Sequence, residues 1–327
     1  MGGDLEGRLS KYISQKLGAV HHICDMLRLT GGAVNETWRF RIEGVGCNGL
    51  YILRLGRSEN KEGLPKSVEA QLQIAALGVG VPVARVLWIF DPSDGFGEGY
   101  IMDCVRGESI PKKILHEGRF DEVRPTLASQ CGEIAAKIHS LKLSDLPKLP
   151  SLTFGEQIAY YAEIYDSMDH KIPTFELAIA WLSERSPRAV EPCMVHGDYR
   201  NGNFIVNEKG VSTVLDWELA HSGDPMEDLG WFCVNSWRFG NRRLEAGGFG
   251  TRYDLFKAYE GSSGKAIDEV CVSVWEALGT FKWGVMCLML SGSAPSGTIR
   301  NVESSAIGRR VSETEIDLLD IIYNRGI

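Results

Sequence analysis

The sequence predicts an α+β fold in two lobes, a small antiparallel sheet followed by a mainly helical lobe. Three observations carry this. Up to Val105 the chain consists of β-rich runs separated by glycine-containing turns, with one helical segment among them. Beyond it, apolar residues recur at three- and four-residue steps. The length of 327 residues is enough for one large core or two modest lobes.

The elements follow in order. Leu29 to Phe40 reads as strand, glycine turn, strand; Gly31 and Gly32 permit positive φ and let backbone N–H groups approach an anion, although such a pair is more often a plain hairpin. Leu50 to Leu55 is a further strand. Val68 to Ile74 lies on a helix that Gly78 stops and Pro82 keeps from resuming. The glycines at 78 and 80 are no dinucleotide fingerprint, because they follow a helix and lack the third glycine. Val83 to Phe90 and Tyr100 to Val105 read as strands around the loop Asp91 to Gly99. Pro125 sits near a helix start, and Leu127, Cys131, Ile134, Ala135, Ile138 and Leu141 share one face. His139 lies off that stripe and reads as a surface or packed histidine. Phe154 to Leu182 predicts one or two helices around a bend at Pro173, with its aromatics mainly in the core.

The most informative stretch is His196-Gly197-Asp198-Tyr199-Arg200-Asn201-Gly202-Asn203, with Asp216-Trp217-Glu218 beginning eighteen positions after Asp198. Met194-Val195 leads in as a strand. Phe204 to Val206 and Val211 to Leu215 flank turn composition, so they form a hairpin. If it closes at Glu208 and Lys209, Asn203 lies opposite Val214 and Asp216 lies two residues on, roughly 7 Å away. Asp198 can then accept a hydroxyl proton, while Asn203 and Asp216 share a magnesium ion that bridges nucleotide phosphates. Glu218 is placed to reach a second ion, directly or through water. A lone His-Gly-Asp is a tight turn; the full pattern in this context points to phosphoryl transfer. His196 braces the loop, and Asp224 and Asp228 are loop-fixing carboxylates. Arg200 is either a surface arginine or a cation that neutralises the transferring group.

On these residues the chain resembles the aminoglycoside phosphotransferase and choline kinase group, which has a protein-kinase-like fold and His-Gly-Asp-x-x-x-x-Asn where protein kinases have His-Arg-Asp. Val214 to Leu219, Gly223 to Leu229, Trp275 to Gly284 and Ala306 to Arg310 are most similar to the branch fused to acyl-CoA dehydrogenases in animals. The resemblance implies a nucleotide-binding lobe over 1–102, a hinge at 103–107 and a helical lobe over 108–327. It implies that Gly31, Gly32 and Asn35 form the nucleotide loop, with Val34 where the family commonly has serine. Arg54 stands where many kinases carry the lysine that grips the α- and β-phosphates, with Glu69 as its helical partner. The backbone of Met102, Asp103, Cys104 and Val105 would meet the adenine ring. The implied activity is transfer of the γ-phosphoryl group of ATP or GTP to a hydroxyl of a small substrate, with magnesium. Its acceptors would be hydroxy-acids or hydroxyacyl-CoA esters, or else aminoglycosides or amino alcohols. Two readings of other classes remain: a phosphohydrolase with Asp198, Asp216, Glu218, Asp224 and Asp228 around two ions, and a nucleotide-binding pseudokinase.

The net charge of −8 without a long basic tract argues against nucleic acid as a partner. Eight scattered cysteines, no Cys-x-x-Cys and no signal peptide point to free thiols in the cytoplasm. Cys271 to Leu290 contains Glu276 and Lys282 and reads as a core helix, not a membrane span. Gly261 to Lys265 reads as a helix-helix turn; for a Walker loop its glycine spacing is short and Ala266 replaces the hydroxyl residue. Arg238, Arg242, Arg243 and Arg252 face Glu245 alone, and the tail adds Arg300, Arg309 and Arg310. If this basic segment lines the acceptor pocket, it selects an anion; alternatively it pairs with carboxylates such as Glu303, Glu313 and Glu315.

Overall fold

The computed structural model describes residues 2–29, 36–56, 63–168, 171–290 and 307–325. Internal contacts divide the chain into two units, Met1–Gly107 with Ser212–Leu219, and Glu108–Val211 with Ala220–Ile327. The segment carrying Asp216 and Glu218 thus groups with the amino-terminal unit, whereas the sequence reading keeps it within 108–327.

In the first unit, α1 (Gly2–Leu17) buries Leu9, Tyr12 and Ile13, spaced by three or four residues, in one core with alternate residues of the sheet. The strands are β1 (His21–Leu29), β2 (Glu36–Gly44) and β3 (Gly49–Leu55); after α2 (Lys66–Gly78) come β4 (Val86–Ile89) and β5 (Gly99–Asp103). They pair antiparallel in the order β1-β2-β3-β5-β4. Side chains alternate along β3: Tyr51 and Leu53 join the α1 core, while Ile52 packs with Ala70, Tyr100 and Met102 in a second core. Arg54 shares the parity of Ile52 and so lies on the α2 side.

Only part of the Val83 to Phe90 strand forms. Val83 and Ala84 are buried, but the Pro82 carbonyl accepts the Val214 N–H and the Arg85 carbonyl the Asp103 N–H, so regular pairing begins at Val86. The ladder of β5 ends at Asp103, although the Cys104 N–H still donates to the Leu50 carbonyl.

The second unit contains α3 (Pro111–His116), α4 (Leu127–His139), α5 (Phe154–Asp166), α6 (Pro173–Ser183), β6 (Cys193–Val195) and β7 (Phe204–Asn207). Next, β8 (Gly210–Val214) passes into the first unit, and β9 (His221–Gly223), α7 (Met226–Cys233), α8 (Arg252–Ser263), α9 (Glu269–Leu288) and α10 (Val311–Asn324) complete the fold. The apolar face of α4 is buried as its spacing predicts. Pro173 opens α6, where its missing N–H costs nothing. The turn between β7 and β8 closes at Glu208-Lys209, with the Lys209 N–H donating to Asn207 Oδ1 at 2.8 Å. The pairing of β6 with β9 has no local signal in sequence. Helix α8 ends at Gly264 in the left-handed conformation, φ 68°, which makes the Gly261 to Lys265 segment a helix stop. Helix α9 is buried along most of its length, and among the described residues no helix is long and apolar enough to cross a membrane. All eight cysteines are free.

Candidate active site

The first unit gathers cations and carboxylates around Arg54, which is 8% exposed. Its Nη2 lies 3.2 Å from Asp216 Oδ1 and 3.8 Å from Glu69 Oε2. Glu69 is fully buried and also pairs with Lys66, one turn earlier on α2. Lys66 Nζ in turn lies 3.6 Å from Glu218 Oε2. Tyr100, cross-strand from Arg54, accepts from Gln73 at 2.7 Å and donates to Glu69 at 3.5 Å. Burial pushes the Glu69 carboxyl up against the pull of Arg54 and Lys66. Burial opposes the charge of Arg54, but Tyr100, Glu69, Asp216 and Glu218 outweigh it and raise its pKa. Asp216 adopts φ 66°, a left-handed conformation that aspartate tolerates better than bulkier residues. Two cations shared among three carboxylates form a set that a polyanion can enter by exchanging partners.

The second unit builds a different centre on the loop between β6 and β7. Gly197 has φ 79° and Gly202 φ 113°; a Cβ on Gly202 would come within 2.7 Å of Arg200 Nη1. Asp198 Oδ1 accepts the Trp231 indole N–H at 2.7 Å and Arg200 Nε–H at 2.8 Å, and Oδ2 accepts Asn203 Nδ2 at 2.5 Å. Every one of these partners of the carboxylate is a donor. Its side chain stays 16% exposed. The Arg200 guanidinium also lies over the Trp237 ring, 4.3 Å from its centroid.

The loop is anchored by Asp228 of α7, which accepts the backbone N–H of His196 at 2.8 Å and of Gly197 at 3.0 Å. His139 Nε2 lies 3.0 Å from the same carboxylate and its Nδ1 3.0 Å from the Tyr259 hydroxyl. Burial opposes the Asp228 charge, but the His139 hydrogen bond, the His139 and His196 rings and the His196 N–H outweigh it and hold the carboxyl below its usual range. His196 Nδ1 accepts the Asp198 N–H at 3.2 Å. Asp224 accepts the Met226 N–H at 2.9 Å and the Trp275 indole N–H at 3.1 Å. Both carboxylates fix the loop and helix start, as their positions in sequence suggest.

The predicted residues therefore fall into two sets. Arg54, Glu69, Asp216 and Glu218 come together in the first unit, and Asp198, Arg200 and Asn203 in the second. Met102 and Asp103 belong to β5, with Cys104 and Val105 following it. Gly31, Gly32 and Asn35 lie outside the described residues, as do Val34, Arg300, Glu303 and Ala306. Sequence reasoning missed Lys66, whose signal is its three-residue offset from Glu69, and Trp231, three residues beyond Asp228 on α7.

Magnesium takes hard oxygen ligands, and each unit offers one by itself: the Asp216 carboxylate in the first, and in the second Asn203 Oδ1, which its Nδ2 contact with Asp198 leaves over. Among the described residues no group of three or more His, Cys, Asp or Glu is placed to hold a metal by itself. Asp224 and Asp228 are committed to N–H donors, which takes two carboxylates from the two-ion phosphohydrolase.

The basic segment resolves mostly into ion pairs. Arg238 lies 3.0 Å from Glu276, Arg252 pairs with Glu276 and Glu245, and Arg325 lies 2.7 Å from Glu276. Arg242 pairs with Asp317 and Arg310 with Glu313, while Glu315 accepts from Thr174. Arg252, Arg325 and Arg238 together overcome burial and hold the Glu276 carboxyl low. The partners named in the sequence reading are Glu245 and Glu313, while Glu276 and Asp317 come from distant stretches.

A family model described as the phosphotransferase enzyme family matches residues 25–263. Acyl-CoA dehydrogenase family member 10 of Mus musculus is 30% identical over 241 residues, covering 69% of this chain and 22% of its own length. The chain thus spans about a fifth of that relative. Among solved structures, a putative aminoglycoside phosphotransferase from Ralstonia eutropha JMP134 superposes with TM-score 0.74 at 24% identity, covering 96% of this chain and 97% of that one. A thermostable mutant of aminoglycoside phosphotransferase APH(4)-Ia, in a ternary complex with AMP-PNP and hygromycin B, gives TM-score 0.61 at 15% identity, covering 98% and 99%. These likenesses show the fold, the two-lobed α+β architecture of the protein-kinase-like type.

Proposed function

We propose that this chain, which belongs to the phosphotransferase enzyme family and is a phosphotransferase with an alcohol group as acceptor, moves the γ-phosphoryl group of ATP or GTP to a small hydroxyl compound. The observation that carries this reading is the Asp198 carboxylate, partly exposed and held by three donors. Such a group can orient a hydroxyl and take its proton as the oxygen bonds to the γ-phosphorus and the bond to the leaving diphosphate breaks. Arg200, beside Asp198, is placed to offset charge on the transferring group. In the first unit, Arg54 and Lys66 hold the nucleotide phosphates, exchanging carboxylate partners for phosphate oxygens. The backbone from Met102 to Val105 meets the purine. Asp216 and Asn203 would hold magnesium, which when bound neutralises charge on the β- and γ-phosphates. Glu218, paired with Lys66, acts through that lysine more than as a ligand.

The acceptor we favour is a hydroxy-acid or hydroxyacyl-CoA ester. The relative named as an acyl-CoA dehydrogenase family member supports it; the structures named for aminoglycosides favour the other choice. The test incubates the full chain with magnesium-ATP and pooled alcohols, sugars, amino alcohols, aminoglycosides, hydroxy-acids and hydroxyacyl-CoA esters. Mass spectrometry then looks for an acceptor carrying one added phosphate. Release of inorganic phosphate with no labelled acceptor would reveal a phosphohydrolase, and nucleotide binding without any turnover a pseudokinase.

A further inference from the structure

We propose that Lys282 of α9 is a specificity-determining residue that receives an anionic group of the acceptor, next to the carboxylate that prepares its hydroxyl. The inference rests on the phosphotransfer reading and names what that reading leaves open.

Lys282 is only 7% exposed, yet among the described residues no carboxylate lies within ion-pair distance of its ammonium. It sits instead over aromatic faces, 4.9 Å from the Trp231 ring centroid and 5.6 Å from that of Tyr161. The same Trp231 donates its indole N–H to Asp198, so one indole separates the buried cation from the proton acceptor. The two carboxylates whose charge reaches Lys282, Glu227 and Asp198, are already taken: Glu227 by Gln157 at 2.6 Å and His221 at 3.1 Å, Asp198 by its three donors. Burial works against the ammonium, but Tyr161, Glu227 and Asp198 keep it charged.

A second observation points the same way. Trp237 is 4% exposed, and its ring lies 5.0 Å from Trp231 and 4.8 Å from Trp283. The indole N–H groups of Trp237 and Trp283 are buried and, among the described residues, have no hydrogen-bond partner. The Lys282 ammonium meets the neutral Tyr161 hydroxyl in place of a carboxylate, and the two indole donors of the same aromatic cluster are unused; buried donors without acceptors are costly. A carboxylate or carbonyl oxygen supplies what is missing, while the indole faces accept an acyl chain. A polycationic or amino-alcohol acceptor would instead bring a second positive charge against Lys282.

The experiment uses the full chain with magnesium-ATP and the 2-, 3-, 4- and 5-hydroxypentanoates, each against its neutral primary amide. The expected result is that at the preferred spacing the carboxylate exceeds its amide at least tenfold in kcat/KM. K282M should remove that preference, mainly through KM, and K282R should keep it. Should K282M not fold, K282Q replaces it. Amides used as well as carboxylates, or a preference untouched by K282M, would overturn the inference. If no acceptor is phosphorylated, the phosphotransfer reading fails, and titration of the same acids by tryptophan fluorescence decides separately. Saturable quenching by the acids that K282M abolishes supports the anion site; its absence in the unaltered chain overturns it.

Discussion

Charge is handled in opposite ways in the two units. In the first, Arg54, Lys66, Glu69, Asp216 and Glu218 neutralise one another, and each ion leans on a second of opposite sign. In the second, Asp198 is met by two neutral N–H donors and a single arginine, with part of its surface left open. Cations already held by carboxylate oxygens suit a polyanion, because phosphate oxygens can take the place of some of those partners. A carboxylate held by donors suits proton transfer, because its oxygens are aimed before its substrate arrives.

The sharpest break of this contrast is Asp198→Asn, which should lower kcat by roughly 10²- to 10⁴-fold while calorimetry finds nucleotide affinity little changed. Loss of both together would mean that Asp198 belongs to the nucleotide set. Arg54→Met comes next: it leaves the buried Glu69 to Lys66 and Tyr100 and should cost about 1–3 kcal/mol of stability in urea unfolding as well as nucleotide affinity. Adding Glu69→Gln should restore much of the stability and none of the binding; restored binding would deny Arg54 its phosphate role.

The Asp228 anchor gives a smaller, pH-dependent effect. Its folded pKa lies below its ordinary value of 3.8, so its contribution is complete above that value and is lost as pH falls through the folded pKa. Each hydrogen bond to this ion contributes about 1.5–3 kcal/mol. Asp228→Asn should therefore flatten the acid limb of stability measured by denaturant midpoints as pH falls below about 4, the side of 3.8 on which the lowered pKa lies. An unchanged limb would show that other carboxylates govern it. The mildest change is Trp231→Phe, which keeps the ring under Lys282 and removes the N–H on Asp198; kcat should fall about tenfold, the worth of one charge-assisted hydrogen bond. A loss as large as that of Asp198→Asn would make the indole part of the proton path.

Much of the framework was legible. The α4 stripe, the stop of α2 at Gly78, the start of α6 at Pro173 and the turn at Glu208-Lys209 depend on neighbours in the chain, and each forms where its local signal lies. The strand from Val83 was overextended because Pro82 and Arg85 offer their carbonyls to Val214 and Asp103, partners that no local pattern reveals. Helix α1 carries a readable spacing in Leu9, Tyr12 and Ile13, although the sequence reading begins its elements at Leu29.

By itself, the sequence determined the alternation of strands and helices, the Asp198 loop and the family to which the chain belongs. Periodicity, turn chemistry and a short motif are properties of adjacent residues. Tertiary structure alone decided which charges are spent and which are held in reserve. Glu276 gathers Arg325 with Arg238 and Arg252, so two arginines of the basic segment, which read either as a binding patch or as ion pairs, became internal ties. Lys282, which read as one charge within a core helix, was left buried with no carboxylate in ion-pair distance among the described residues. The physical reason is that a side chain's charge is offset by whatever packing brings within a few ångströms, and those partners come from stretches far apart in the chain.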